Sequence, residues 1–116
     1  MGREIKFRAW LKVAIKPYMI HQSTIENYNF KELNNDAYIF MQYTGLKDKN
    51  GVEIYEGDIV DVAYNKGQTF HKGEVVYRNA QFKVYIQGDG RPIWHFGQKW
   101  VEVIGNIYEN KELLNG

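Results

Sequence analysis

The sequence predicts a mainly β fold: antiparallel strands forming a small SH3-like, partly open barrel, with an N-terminal β extension and little helix. Three observations carry this. Apolar residues recur at every second position through the first segment. Nine of the eleven glycines fall between Gly45 and Gly105, where they separate short runs of Val, Ile, Tyr and Phe. Aromatic residues make up 16% of the 116, a share that argues against a disordered chain and for a packed domain.

The elements follow in order. Ile5, Phe7, Ala9, Leu11, Val13 and Ile15 alternate with Lys6, Arg8, Trp10, Lys12 and Lys16. Successive strand side chains point to opposite faces, so this reads as one long strand with a basic outer face, ended by Pro17. Residues 22–36 mix a capping pair (Ser23, Glu26) with four asparagines, and read as a loop with one helical turn. Ala37 to Tyr43 reads as a strand buried on both faces, since Ile39, Phe40 and Met41 are all apolar. Lys47-Asp48-Lys49-Asn50-Gly51 reads as a turn in which Asn50 and Gly51 take positive φ. Ile54 to Tyr64 resumes the sheet, broken at Gly57 by a bulge or corner. Asn65-Lys66-Gly67 turns the chain again. Gly73–Tyr77 and Phe82–Ile86 form a hairpin closed near Asn79-Ala80, and Gly88-Asp89-Gly90 makes the next turn. Pro92 to Phe96 reads as a short edge strand and Trp100 to Tyr108 as the last strand, kinked at Gly105. Asn110 then caps a final helical turn carrying Leu113 and Leu114.

No repeat, low-complexity tract or linker divides the chain. A single domain over 1–116 is expected, with N-terminal strands and a loop over 1–43, a barrel core over 44–110 and a tail over 111–116. The absence of Cys excludes a disulfide framework and thiolate metal sites. A formal net charge of +1 excludes a globally basic nucleic-acid binder but leaves local patches open. There is no apolar run near the ~20 residues of a membrane span and no signal-peptide core. Lys6 stands where a myristoylation motif needs Ser or Thr. A cytoplasmic protein without membrane contact is the expectation.

Three stretches resemble the YopX family of phage and prophage proteins from Gram-positive bacteria. The first is Arg3-Glu4-Ile5-Lys6-Phe7-Arg8-Ala9-Trp10. The second runs from Met41-Gln42-Tyr43-Thr44-Gly45-Leu46-Lys47-Asp48-Lys49-Asn50-Gly51 through Ile54-Tyr55-Glu56-Gly57-Asp58-Ile59-Val60. The third is Val103-Ile104-Gly105-Asn106-Ile107-Tyr108-Glu109-Asn110. The resemblance implies a compact β domain encoded in mobile phage DNA, acting as an accessory protein in a bacterial host cell. It implies no catalytic residue and no cofactor. The sequence departs from the family pattern at Leu11, where Asp is usual, and at Lys111, where Pro is common.

Three patches are candidates for function. Residues 1–16 hold five basic side chains against one acidic. On an extended strand Lys6, Arg8, Trp10 and Lys12 would share one face, with charges about 7 Å apart on the scale of phosphate spacing and Trp10 placed to stack on a base. The same pattern also describes a solvated strand whose lysines oppose edge pairing. The second patch is acidic: Glu53, Glu56, Asp58 and Asp61. Clustered carboxylates can hold Mg²⁺ or Mn²⁺, but strand parity separates 56 and 58 from 53 and 61. Turn chemistry accounts better for Glu56-Gly57-Asp58, with Asp58 accepting from nearby backbone N–H groups.

The third patch is aromatic: Trp94, Phe96, Trp100 and Tyr108. Exposed rings mark protein interfaces, and buried ones replace Leu in a small core. His21, His71 and His95 lack helical i, i+4 partners, and there is no nucleophile elbow or phosphate-cradling glycine loop. Asn50, Gly51, Glu56, Gly57, Asp58 and Gly105 are assigned to turns and kinks. No catalytic, cofactor or metal residue is assigned. The expected function is a non-catalytic interaction module, its partner a second copy of itself or another phage or host protein. A nucleic-acid-binding barrel is the alternative, and a metal-dependent enzyme on Glu56 and Asp58 comes third.

Overall fold

A computed structural model describes residues 6–12, 16–21, 37–64 and 69–114 of the chain. These residues fall into two compact units, Met1–Tyr43 and Thr44–Gly116. The protein is mainly β, and among the described residues helix is confined to short 3₁₀ turns.

In the N-terminal unit, β1 (Phe7–Leu11) lies between β2 (Tyr18–Ile20) and the first part of β3 (Tyr38–Lys47), antiparallel to both. Ala9 faces Ile20 and Phe40; Trp10 faces Met19 and Ile39. The expected one-sided burial of the first strand does not hold. Arg8 is buried, Phe7 is 39% exposed, Lys6 and Trp10 are half-buried, and of the outward series only Lys12 and Lys16 are exposed. Both faces of this short sheet are in fact covered near its middle. Ala9 and Ile20 are buried on one face, and Arg8, Met19 and Met41 on the other. A strand buried on both sides carries no usable alternation. The reverse correction applies to β3, where Met41 and Tyr43 are buried but Phe40 is 37% exposed. The loop expected at 22–36 lies outside the described residues.

The C-terminal unit contains the end of β3, then β4 (Glu53–Tyr55), β5 (Asp58–Tyr64), β6 (Thr69–Arg78), β7 (Gln81–Ile86), β8 (Asp89–Pro92) and β9 (Val101–Asn106). The last five form one antiparallel sheet in the order β8-β7-β6-β5-β9, half of a small, partly open barrel. Val60 and Val62 on β5, Val75 on β6, and Phe82, Val84 and Ile86 on β7 face its interior. Ile54, Ile93, Phe96 and Val101 complete that core. The alternation of Phe82, Val84 and Ile86 is the expected one, and so is the Asn79-Ala80 turn, whose φ angles are 55° and 61°.

Elsewhere the boundaries move. Gln87 (φ 49°) and Gly88 (φ 85°) form a second tight turn, one residue earlier than expected. Asp89 and Gly90 are thereby released to pair with Ile86 and Tyr85. The edge strand is accordingly Asp89–Pro92, and Ile93–His95 is a 3₁₀ turn instead of a strand. Trp100 likewise ends a 3₁₀ turn, Gln98–Trp100, so the last strand begins at Val101 and stops at Asn106. The irregularity near Gly105 is a slip of register. Ile59 faces Gly105 while Val60 faces Val103, leaving Ile104 as the extra residue. A final 3₁₀ turn, Lys111–Leu114, packs against β6. The turn expected at 65–67 lies outside the described residues.

Candidate functional site

The residues that carry the family resemblance in the C-terminal unit converge on backbone amides. Asp48 is fully buried in the turn after β3. Its Oδ1 accepts from the N–H groups of Asn50 (2.8 Å) and Val52 (2.9 Å), and its Oδ2 accepts from Val103 N–H on β9 (2.9 Å). The Asp48 carbonyl accepts from Gly51 N–H and from the Gln98 side-chain amide. Lys49 N–H donates to the Val101 carbonyl. One carboxylate thus shapes its own turn and fastens that turn to the outer edge of β9, which would otherwise stand open to another strand. Because Asp48 shapes the turn, Asn50 does not take the positive φ expected of it; only Gly51 does, at 80°.

Asp58 repeats the device. It is 1% exposed, and its Oδ2 accepts from Tyr55 N–H at 2.7 Å across the corner. Gly57 sits in that corner at φ 88°, a left-handed conformation that side chains resist. Its N–H donates to Val75 and its carbonyl accepts from Ile107 N–H, stitching the corner to β6 and to the end of β9. There, Asn106 Oδ1 accepts from Tyr108 and Glu109, and Asn110 Oδ1 accepts from Asn106 N–H. A Cβ on Gly105 would lie 2.6 Å from Asn110 Oδ1, so only glycine lets this turn fold back over the strand. Asn110 therefore bonds backward and does not cap the following turn with its side chain.

The acidic group does not converge. Asp58 is spent on Tyr55, and Glu53, Glu56 and Asp61 are half-buried on separate elements. Among the described residues no three His, Asp or Glu side chains are placed to hold a metal ion. The basic group is likewise divided. Lys6 lies over the Tyr43 ring at 5.4 Å and Arg8 is buried. The aromatic group splits too: Phe96 is core at 4% exposure, Trp100 and Tyr108 are half-buried, and Trp94 is 69% exposed. Of the histidines, His21 and His95 are exposed and His71 is half-buried. His95 packs edge-on against Phe96.

Two features were not found by sequence reasoning. The first is the exposure of two large rings, Trp94 and Tyr77. Tyr77 is 44% exposed and packs at a tilt against Phe82, ring centroids 4.7 Å apart, beside the β6–β7 turn. Lys83 pairs with Pro92, and β8 runs back toward that same turn, so Trp94 follows two residues further on. The second is a hollow of about 570 Å³ over the outer face of the sheet. Asp61, Phe70, Lys72, Glu74 and Tyr85 line it from the strands, and Leu113 and Leu114 from the last 3₁₀ turn. Desolvation raises the Glu74 carboxyl above its ordinary 4.5, with Arg78 opposing the shift. Both features depend on register, which brings together residues far apart in sequence.

These elements define a small, mainly β protein whose buried Asp48 and Asp58 serve the backbone and whose C-terminal unit exposes Trp94 and Tyr77 and carries a hollow on one sheet face. The chain belongs to the YopX family, whose model, described as YopX protein, matches residues 12–115. It is similar to the crystal structure of protein EF1440 from Enterococcus faecalis, at 26% identity and a TM-score of 0.60. That match covers 97% of this chain and 99% of the other. It shares the fold of protein yopX from Bacillus subtilis, at 20% identity and a TM-score of 0.59, over 94% and 97% of the two chains. No curated protein matches the chain. No helix among the described residues is long and apolar enough to cross a membrane.

Proposed function

We propose that this protein is a non-catalytic interaction module of a phage or prophage, acting in the host cytoplasm, and that its first partner is a second copy of itself. The observation that carries the reading is the exposure of two large rings of the C-terminal unit, Trp94 at 69% and Tyr77 at 44%. Large exposed rings are the commonest anchors of protein interfaces, because they bury much area at little entropic cost. A net charge of +1 lets two copies approach without mutual repulsion. The fates of Asp48 and Asp58 support the non-catalytic part, since both accept bonds from backbone amides and are withheld from acid–base work. The nucleic-acid reading is less well supported, because burial of Arg8 removes the middle charge of the face formed by Lys6, Arg8, Trp10 and Lys12. Light scattering across micromolar to near-millimolar protein tests the proposal. A mass that rises with concentration supports it, and a constant monomer mass removes self-association.

A further inference from the structure

The hollow on the outer face of the sheet has a chemistry that points to a different partner. Asp61 on β5 faces Lys72 on β6, and Glu74 follows on the same face, opposite Tyr85. Among the described residues, no hydrogen bond or ion pair engages the side chains of Asp61, Lys72 or Glu74. The two carboxylates are half-buried, whereas Lys72, which also lines the hollow, is exposed, so the more deeply held charges are negative. Arg78, the one cation that acts on Glu74, is held on Tyr85 instead. Its Nη1 donates to the Tyr85 hydroxyl at 3.3 Å, and its guanidinium lies 4.9 Å from the ring centroid. On β9, directly across from Asp61, Glu102 is paired with Lys49 at 3.3 Å, so that cation is engaged there and not on Asp61. Two apolar side chains stand exposed at the hollow, Phe70 at 53% and Leu114 at 37%, beside the polar His71 and Gln87.

We infer that this hollow binds an organic cation, an ammonium head on a short aliphatic stem, with Glu74 and Asp61 receiving the head while Phe70 and the Leu113–Leu114 turn cover the stem. Burial of Glu74 costs its carboxylate hydration that no hydrogen bond replaces and that Arg78 only partly offsets, and an incoming ammonium supplies what is missing. The unfavourable state of the empty site is what gives the cation its advantage over a neutral molecule of equal size. The cation can come from a free amine or from a lysine side chain on a peptide, and the two share this chemistry.

The test is an amide-resolved NMR titration of the intact chain with n-pentylammonium, n-pentanol and pentanoate. Pentylammonium is expected to shift Lys72, Glu74, Tyr85 and Leu113 saturably, with an affinity in the millimolar range. Pentanol and pentanoate are expected to be clearly weaker. Glu74→Gln, an isosteric change at a half-buried position, weakens the cation about five- to tenfold, and Asp61→Asn provides an independent second measure. A parallel titration with a short lysine peptide, amide-capped, separates the sources: tighter binding than pentylammonium assigns the site to a protein partner, and weaker binding to a free amine. The inference is overturned if the shifts do not saturate, if pentanol binds as well as pentylammonium, or if neither substitution changes the affinity.

Discussion

Replacing Asp48 separates the two roles a motif carboxylate can play. The wild-type side chain accepts from three backbone amides, two in its own turn and one on β9, and has no exposed surface. A hydrogen bond to a charged acceptor contributes about 1.5–3 kcal/mol net. Asn retains one oxygen and turns an NH₂ group toward at least one remaining donor. It thus loses the charge and either the Val103 bond or the pair within the turn. The expected cost is about 2–4 kcal/mol for Asp48→Asn and about 3–5 kcal/mol for Asp48→Ala, where every partner is abandoned. With a urea slope of about 1–3 kcal/mol per molar, the Asp48→Asn midpoint should fall by about 0.7–4 M at unchanged slope. The three tryptophans supply the fluorescence signal. Asp61→Asn, which removes a carboxylate without a hydrogen-bond partner, should move stability by no more than about 0.5 kcal/mol. If Asp48→Asn and Asp61→Asn shift the midpoint equally, the assignment of Asp48 to the backbone is wrong.

The other predictions concern single positions. Ala80 occupies a left-handed φ of 61° in the β6–β7 turn, so Ala80→Gly should stabilise by about 0.5–1 kcal/mol in thermal or urea unfolding. Gly105→Ala places a Cβ 2.6 Å from Asn110 Oδ1. It should destabilise by about 1–3 kcal/mol, and Asn110→Ala in the same chain should return part of that loss. Glu74 has a folded pKa above the ordinary 4.5 because burial penalises its charged form. Its favourable contribution is therefore fully present below pH 4.5 and is lost as pH rises through the folded value. Glu74→Gln should unfold at higher temperature than wild type at neutral pH, with the gap closing toward pH 4.5; a gap that widens on acidification contradicts the burial argument.

The legible part of the fold was the part with one-sided burial and strong turn chemistry. Phe82, Val84 and Ile86 alternate against solvent, and Asn79-Ala80 joins two such strands, so both were readable from spacing alone. Where burial is two-sided, as around Arg8 and Met41, the period vanishes and parity misleads. Pro92 looked like the start of an edge strand and is its end, because Gln87 accepts a left-handed conformation that its residue type disfavours. The Glu56-Gly57-Asp58 corner was recognisable because Asp next to Gly has a local use for its carboxylate. Asp48 was not singled out, since one of its partners, Val103, lies 55 residues away. The hollow and the exposure of Tyr77 and Trp94 were invisible for the same reason: both arise from strand order, which no local pattern encodes.

The central claim is that this protein acts by contact through its exposed rings, Trp94 and Tyr77. Sedimentation velocity on wild type and Trp94→Ser, at matched concentrations from micromolar to near-millimolar, tests it most directly. Trp94 is 69% exposed, so its replacement leaves the core intact and reports on contact alone. The account predicts a wild-type species that grows with concentration and a variant whose association is weakened about tenfold or more. Identical monomeric boundaries for the two proteins across the whole range would contradict it.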